Sequence, residues 1–145
     1  IKLYKINNSN NSGTTNNDFL GDVKVETLYP NANGNYSQWT GSDADQIDNY
    51  SLVNESVYTS DSAPYVTAET ANTIDTYQFS NLSTITNVKG IQVNYVAKKD
   101  DAAEKTIREK CRVSGSDYNG TTQYLGTSYA LYSEIRETNP ATGSA

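Results

Sequence analysis

The sequence predicts an all-β fold, an antiparallel β-sandwich of jelly-roll type, and three observations carry that prediction. Asn, Ser and Thr supply 49 of the 145 residues, and Asn and Ser compete for backbone hydrogen bonds in ways that favour turns over helix. Thr and the 12 Tyr suit a pleated, half-buried surface. Short runs of alternating apolar and polar residues recur between turn residues, with no convincing long helix among them, the pattern of a sandwich or barrel. A chain of this length buries roughly 68–70% of its unfolded surface, so one core is the default.

The elements follow in order. Residues 6–18, INNSNNSGTTNND, form a polar tract without periodicity, too poor in apolar area to offset its ordering entropy. Residues 1–20 therefore read as a linker or the end of a preceding domain, with the β-sandwich domain over 21–145. Val23, Val25 and Thr27 alternate with Lys24 and Glu26, predicting a strand, and Pro30-Asn31 with Asn33-Gly34 predict a turn after it. Tyr50 and Leu52 predict a short second strand, and Tyr77 with Phe79 another. Ile91, Val93, Tyr95 and Ala97 alternate with Gln92, Asn94 and Lys98 in the clearest strand of the chain.

The stretch from Asp100 to Val113 admits two readings. Ala103, Ile107 and Cys111 are spaced four apart as on a helix, and a capping box could open at Asp101. Extended neighbours favour a turn at Asp100–Glu104 and a strand from Lys105, with Ile107, Cys111 and Val113 inward. Asn119-Gly120 tolerates positive φ and predicts a hairpin reversal. Tyr129, Leu131, Ser133 and Ile135, alternating with Ala130, Tyr132, Glu134 and Arg136, predict the last strand, closed by Asn139-Pro140 and Gly143.

Charge and residue usage exclude several functions. The net charge is −6, whereas a nucleic-acid surface needs clustered Lys and Arg against phosphates; no nucleic-acid partner is expected. No apolar run approaches the roughly 20 residues of a membrane-spanning helix, and no membrane partner is expected. Cys111 is the lone cysteine, so no internal disulfide forms. The chain has no His, the commonest general base and neutral metal ligand. It has no Met either, position 1 included, and a piece of a longer protein is expected.

Candidate sites are few. Asp43, Asp45 and Asp48 offer the hard oxygen ligands that Ca²⁺ takes, but not the spacing or bidentate Glu of an EF-hand; a solvated acidic loop is the first reading and calcium the weaker one. Tyr36, Trp39 and Tyr50 are a candidate platform for stacking on sugar rings, set against ordinary core packing. Tyr124, Tyr129 and Tyr132 are candidates for a subunit interface, because Tyr is enriched in interface cores. Glu26, Glu55, Glu69 and Glu137 lack any feature that would mark a catalytic pair, and Cys111 has no His to activate it. We expect no enzyme and no cofactor.

Six segments resemble a known family. They are GDVKVETLYPNANGNYSQWT (Gly21–Thr40), YSLVNE (Tyr50–Glu55), DTYQF (Asp75–Phe79), KGIQVNYVAKKDDA (Lys89–Ala102), SGSDYNG (Ser114–Gly120) and TSYALYSEIRETNPATG (Thr127–Gly143). In this order they are similar to a domain of tailed-bacteriophage structural proteins of minor-tail, head-fibre or decoration type. The resemblance implies a virion component assembled in the host cytoplasm and carried on the particle surface, with no catalytic residues to transfer. It also implies a preceding lectin-like jelly roll and a closing segment beyond Asn139-Pro140. Other virion proteins, capsid or tail subunits, are the expected partners, with a homo-oligomer such as a trimer covering the edge strands. The alternative is a carbohydrate-binding module that meets a host surface glycan through Trp39 and its neighbours.

Overall fold

The computed structural model of the chain describes residues 23–55, 64–83 and 87–144. The expected linker or domain end at 1–20 lies outside these residues. The chain is all-β. In sequence order the strands are β1 (Pro30–Ser37), β2 (Thr40–Gly41), β3 (Val66–Thr67), β4 (Asp75–Phe79), β5 (Ile91–Ala97), β6 (Thr106–Ile107), β7 (Lys110–Val113), β8 (Ser116–Asn119), β9 (Gln123–Tyr124) and β10 (Ala130–Arg136). A 3-10 turn, Asn49–Leu52, lies between β2 and β3. The described strands pair as antiparallel two-stranded ribbons. The chain divides into two compact units, one holding β1–β4 and the other β5–β10.

In the first unit β1 pairs with β4 and β2 with β3. Among the described residues the predicted strand at Val23–Thr27 has no ladder partner, and β1 begins instead at Pro30 and runs through the predicted turn at Asn33-Gly34. Pro30 sits at the strand's first position, where its missing N–H breaks no ladder. Asn33-Gly34 is consumed by an irregularity of register between Asn33 and Ser37 rather than by a reversal. Gly34 lies against Thr76 so closely that a Cβ would come within 2.9 Å of the Thr76 carbonyl carbon. Here glycine serves close approach, which a local reading of turn chemistry does not distinguish from a turn. The strand expected at Tyr50 and Leu52 is the 3-10 turn, because Tyr50 N is taken by the Asn33 side chain, not by a ladder.

In the second unit β5 pairs with β10 over seven residues, setting Tyr132 opposite Tyr95 and Arg136 opposite Ile91. The reading of Lys105–Val113 as extended holds, broken between β6 and β7. The hairpin reversal falls at Ser114-Gly115 and not at Asn119-Gly120: both central residues take positive φ, 50° and 85°, and Val113 pairs with Ser116. That is the combination a two-residue I′ turn demands. Gly120 instead lets the backbone pass Glu109, whose carbonyl accepts Gly120 N–H at 2.8 Å.

Burial departs from the idea that alternate side chains fill a dry interior. Among the described residues no hydrophobic side chain is fully buried, and the most enclosed side chains are Asn49 and Glu109. Both units hold an enclosed polar side chain, Asn49 in the first and Glu109 in the second. Apolar side chains lie half-buried on ribbon faces or open to solvent.

Candidate functional site

In the first unit the polar centre is Asp75, at the start of β4. Its Oδ1 accepts the backbone N–H of Gln38 at 2.9 Å and of Trp39 at 3.4 Å. Its Oδ2 accepts from Asn49 Nδ2 at 2.9 Å and from the Tyr77 hydroxyl at 2.6 Å. Burial, helped by the bond to this carboxylate, pushes the Tyr77 phenol well above its ordinary pKa. Asn49 is wholly enclosed, and its Nδ2 also donates to Trp39 O at 2.9 Å. The Asp75 hub thus ties the end of β1, the 3-10 turn and β4 together.

The acidic loop hangs from this frame. Asn33 Nδ2 donates to Ile47 O at 2.9 Å, and Ser37 Oγ donates to Gln46 O at 2.7 Å. Gly41 N donates to Asp45 O at 2.7 Å, and Ala44, at φ 71°, donates its N–H to Gly41 O. One carboxylate oxygen from each of Asp43, Asp45 and Asp48 lies within 4.8 Å of the others. The three acids singled out in the sequence are thus brought together.

Tyr36 lies on β1, Trp39 just beyond it and Tyr50 in the 3-10 turn, all in the same unit and all half-buried. The Trp39 indole N–H is buried without a hydrogen-bond partner, so its polar edge faces the protein.

In the second unit the three tyrosines play different parts. Tyr132 stacks on Tyr95, ring centroids 5.6 Å apart, and its hydroxyl donates to Tyr124 O at 3.3 Å. The Lys98 ammonium lies 4.3 Å from the centre of the Tyr129 ring, a cation–π contact. Tyr124 is 66% exposed. The face shared by Tyr132, Glu134 and Arg136 turns inward, because Arg136 reaches the enclosed Glu109 and Glu134 accepts from Thr121 N and Oγ1.

The opposite face of the β5–β10 ribbon consequently points outward. Val96 and Leu131, paired across the strands, and Ile135 are 39%, 67% and 55% exposed. Between them Ser133 Oγ and Gln92 Nε2 both donate to Asn94 Oδ1. These apolar residues were not singled out by sequence; the signal was present in the alternation of β10, but its polarity of facing depends on which partner Arg136 finds. A cleft of about 370 Å³ in this unit is lined by Val88, Ile91, Cys111, Val113 and Pro140 among others. Burial raises the pKa of the Cys111 thiol, which keeps it protonated and poorly nucleophilic.

No helix among the described residues is long and apolar enough to cross a membrane. No family model, no curated protein and no solved structure matches this chain.

Proposed function

We propose that this chain is a structural, non-catalytic component of a tailed-bacteriophage virion, decorating or forming a fibre on the capsid or tail surface. In this reading it is a homo-oligomer in which paired ribbons complete a jelly-roll-like β-sandwich. The family reading rests on the resemblance of the six segments. The observation that carries the assembly reading is the outward apolar face of Val96, Leu131 and Ile135 on a domain with no fully buried hydrophobic side chain among its described residues.

Two-stranded ribbons are marginal by themselves in water and need a further strand or a covering layer. Covering apolar surface contributes about 25 cal/mol per Å², and the outward face offers it to a second copy. A scaffold of this kind acts by fixing neighbours in place, and turnover is not part of its work.

The test uses Leu131→Lys/Ile135→Lys. On this reading light scattering gives an oligomer for the unsubstituted chain and a monomer with an unchanged circular-dichroism spectrum for the variant, and the variant is lost from purified particles. A monomeric unsubstituted chain, or unaltered incorporation of the variant, would overturn it.

A further inference from the structure

We infer that the acidic loop is a calcium site whose fourth protein ligand is the enclosed carbonyl oxygen of Asn49. Three carboxylates alone would be an ordinary solvated loop. What separates this loop from one is Asn49 Oδ1: the side chain is 0% exposed, and this oxygen has no hydrogen-bond partner. A buried amide oxygen without a donor is costly.

The orientation of the amide is fixed by its neighbours. Trp39 O and Asp75 Oδ2 are both acceptors, so the nitrogen must face them and the oxygen must face away. On that side lie Gly41 and Asp43. A Cβ placed on Gly41 would strike both Asp43 Oδ1 and Leu52 Cδ1 and stand 3.3 Å from Asn49 Oδ1, so the two oxygens flank the same residue without a side chain, with the Leu52 methyl packed beside them. Asp43 Oδ1 belongs to the acid grouped with Asp45 and Asp48.

The donor set is that of a hard cation. Ca²⁺ accepts six to eight oxygens, carboxylate and amide carbonyl among them, in flexible geometry, whereas Mg²⁺ demands a near-ideal octahedron. Three carboxylates and one amide oxygen leave the remaining positions to water or backbone carbonyls. None of the ion pairs among the described residues involves the three acids, so no side-chain cation already neutralises them. The loop is held open for the ion by Asn33 and Ser37, which grip the Gln46 and Ile47 carbonyls. The inference stands on the first unit alone and does not depend on the virion reading.

Trp39 is the sole tryptophan and its carbonyl holds Asn49, which makes its indole a reporter. Tb³⁺, a luminescent substitute for Ca²⁺, is added to the intact chain and excited through the indole. The expected result is sensitised emission that excess Ca²⁺ displaces and that Asp43→Asn/Asp48→Asn abolishes while keeping the circular-dichroism spectrum. Should that double variant fail to fold, Asp48→Asn alone serves, since its one side-chain contact, to Ser51 Oγ at 3.4 Å, survives in the amide. As a second measurement, millimolar Ca²⁺ raises Tm of the unsubstituted chain and equal Mg²⁺ does not. Emission that is absent, undisplaced by Ca²⁺ or unchanged in a folded variant overturns the site, as does an equal Tm shift with Mg²⁺.

Discussion

Arg136 grips Glu109 through two of its nitrogens, Nε at 3.2 Å and Nη2 at 2.5 Å from the same carboxylate oxygen, with side chains only 14% and 6% exposed. Nη2 also donates to Tyr118 O at 3.2 Å. The pair joins β10 to β8 and to the bend between β6 and β7, and the carboxylate holds the guanidinium pKa above its usual range.

Removing one partner from such a pair strands a charge. Arg136→Met is expected to lower stability by about 3–5 kcal/mol in urea unfolding, and the double variant Glu109→Gln/Arg136→Met to recover part of that loss. A single-variant loss under about 1 kcal/mol, the value of an exposed pair, would contradict the enclosed geometry.

Asp75 accepts two backbone and two side-chain donors. Asp75→Ala leaves those donors without their acceptor, and a loss of about 2–4 kcal/mol is expected. Because Asn49 loses its clamp, the same change is expected to shift Trp39 fluorescence; an unaltered spectrum would show that the hub does not position the tryptophan.

Tyr77 gives the first unit an alkaline sensitivity. Its folded pKa lies above the unfolded value near 10, so the native state holds its proton where the unfolded state has released it. The associated stability is complete below pH 10 and falls as pH rises toward the folded pKa. Tyr77→Phe is expected to flatten the fall of Tm above pH 10 without changing its slope near neutrality. An unchanged alkaline slope in the variant would refute this assignment.

At Gly34 the constraint is space. Gly34→Ala sets a methyl group against Thr76, whose Oγ1 accepts Tyr36 N–H at 3.0 Å. Overpacking typically costs about 1–3 kcal/mol, and thermal unfolding should register it. Gly34→Ala in a Thr76→Ser background should cost as much, since Ser keeps the hydroxyl, Cβ and carbonyl carbon that the new methyl group would meet.

Alternation located β4, β5 and β10, because period two is a property of an extended chain whatever it packs against. The turn residues were less reliable guides. Asn33-Gly34 and Asn119-Gly120 look like reversals, yet one fits under Thr76 and the other beside Glu109, contacts supplied by residues distant in sequence. Glu109 interrupted an otherwise alternating strand and proved to be the enclosed partner of Arg136. The grouping of Asp43, Asp45 and Asp48 was legible from their spacing; Asn49 was not, since its neighbour Asp48 gives no hint that one side chain is exposed and the next enclosed.

By itself the sequence determined that this chain is extended and turn-rich, that it carries negative charge, and that it lacks His. Those are local or summed properties of the residues. Tertiary structure alone decided which face of β10 turns outward and where the Asn49 oxygen points. Both depend on a distant partner: Glu109 draws Arg136 and its face inward, leaving Leu131 and Ile135 outside, and Asp75 with Trp39 O takes the amide nitrogen. A polar group that must be satisfied on burial selects the orientation, and the identity of its partner is set only when the chain has folded.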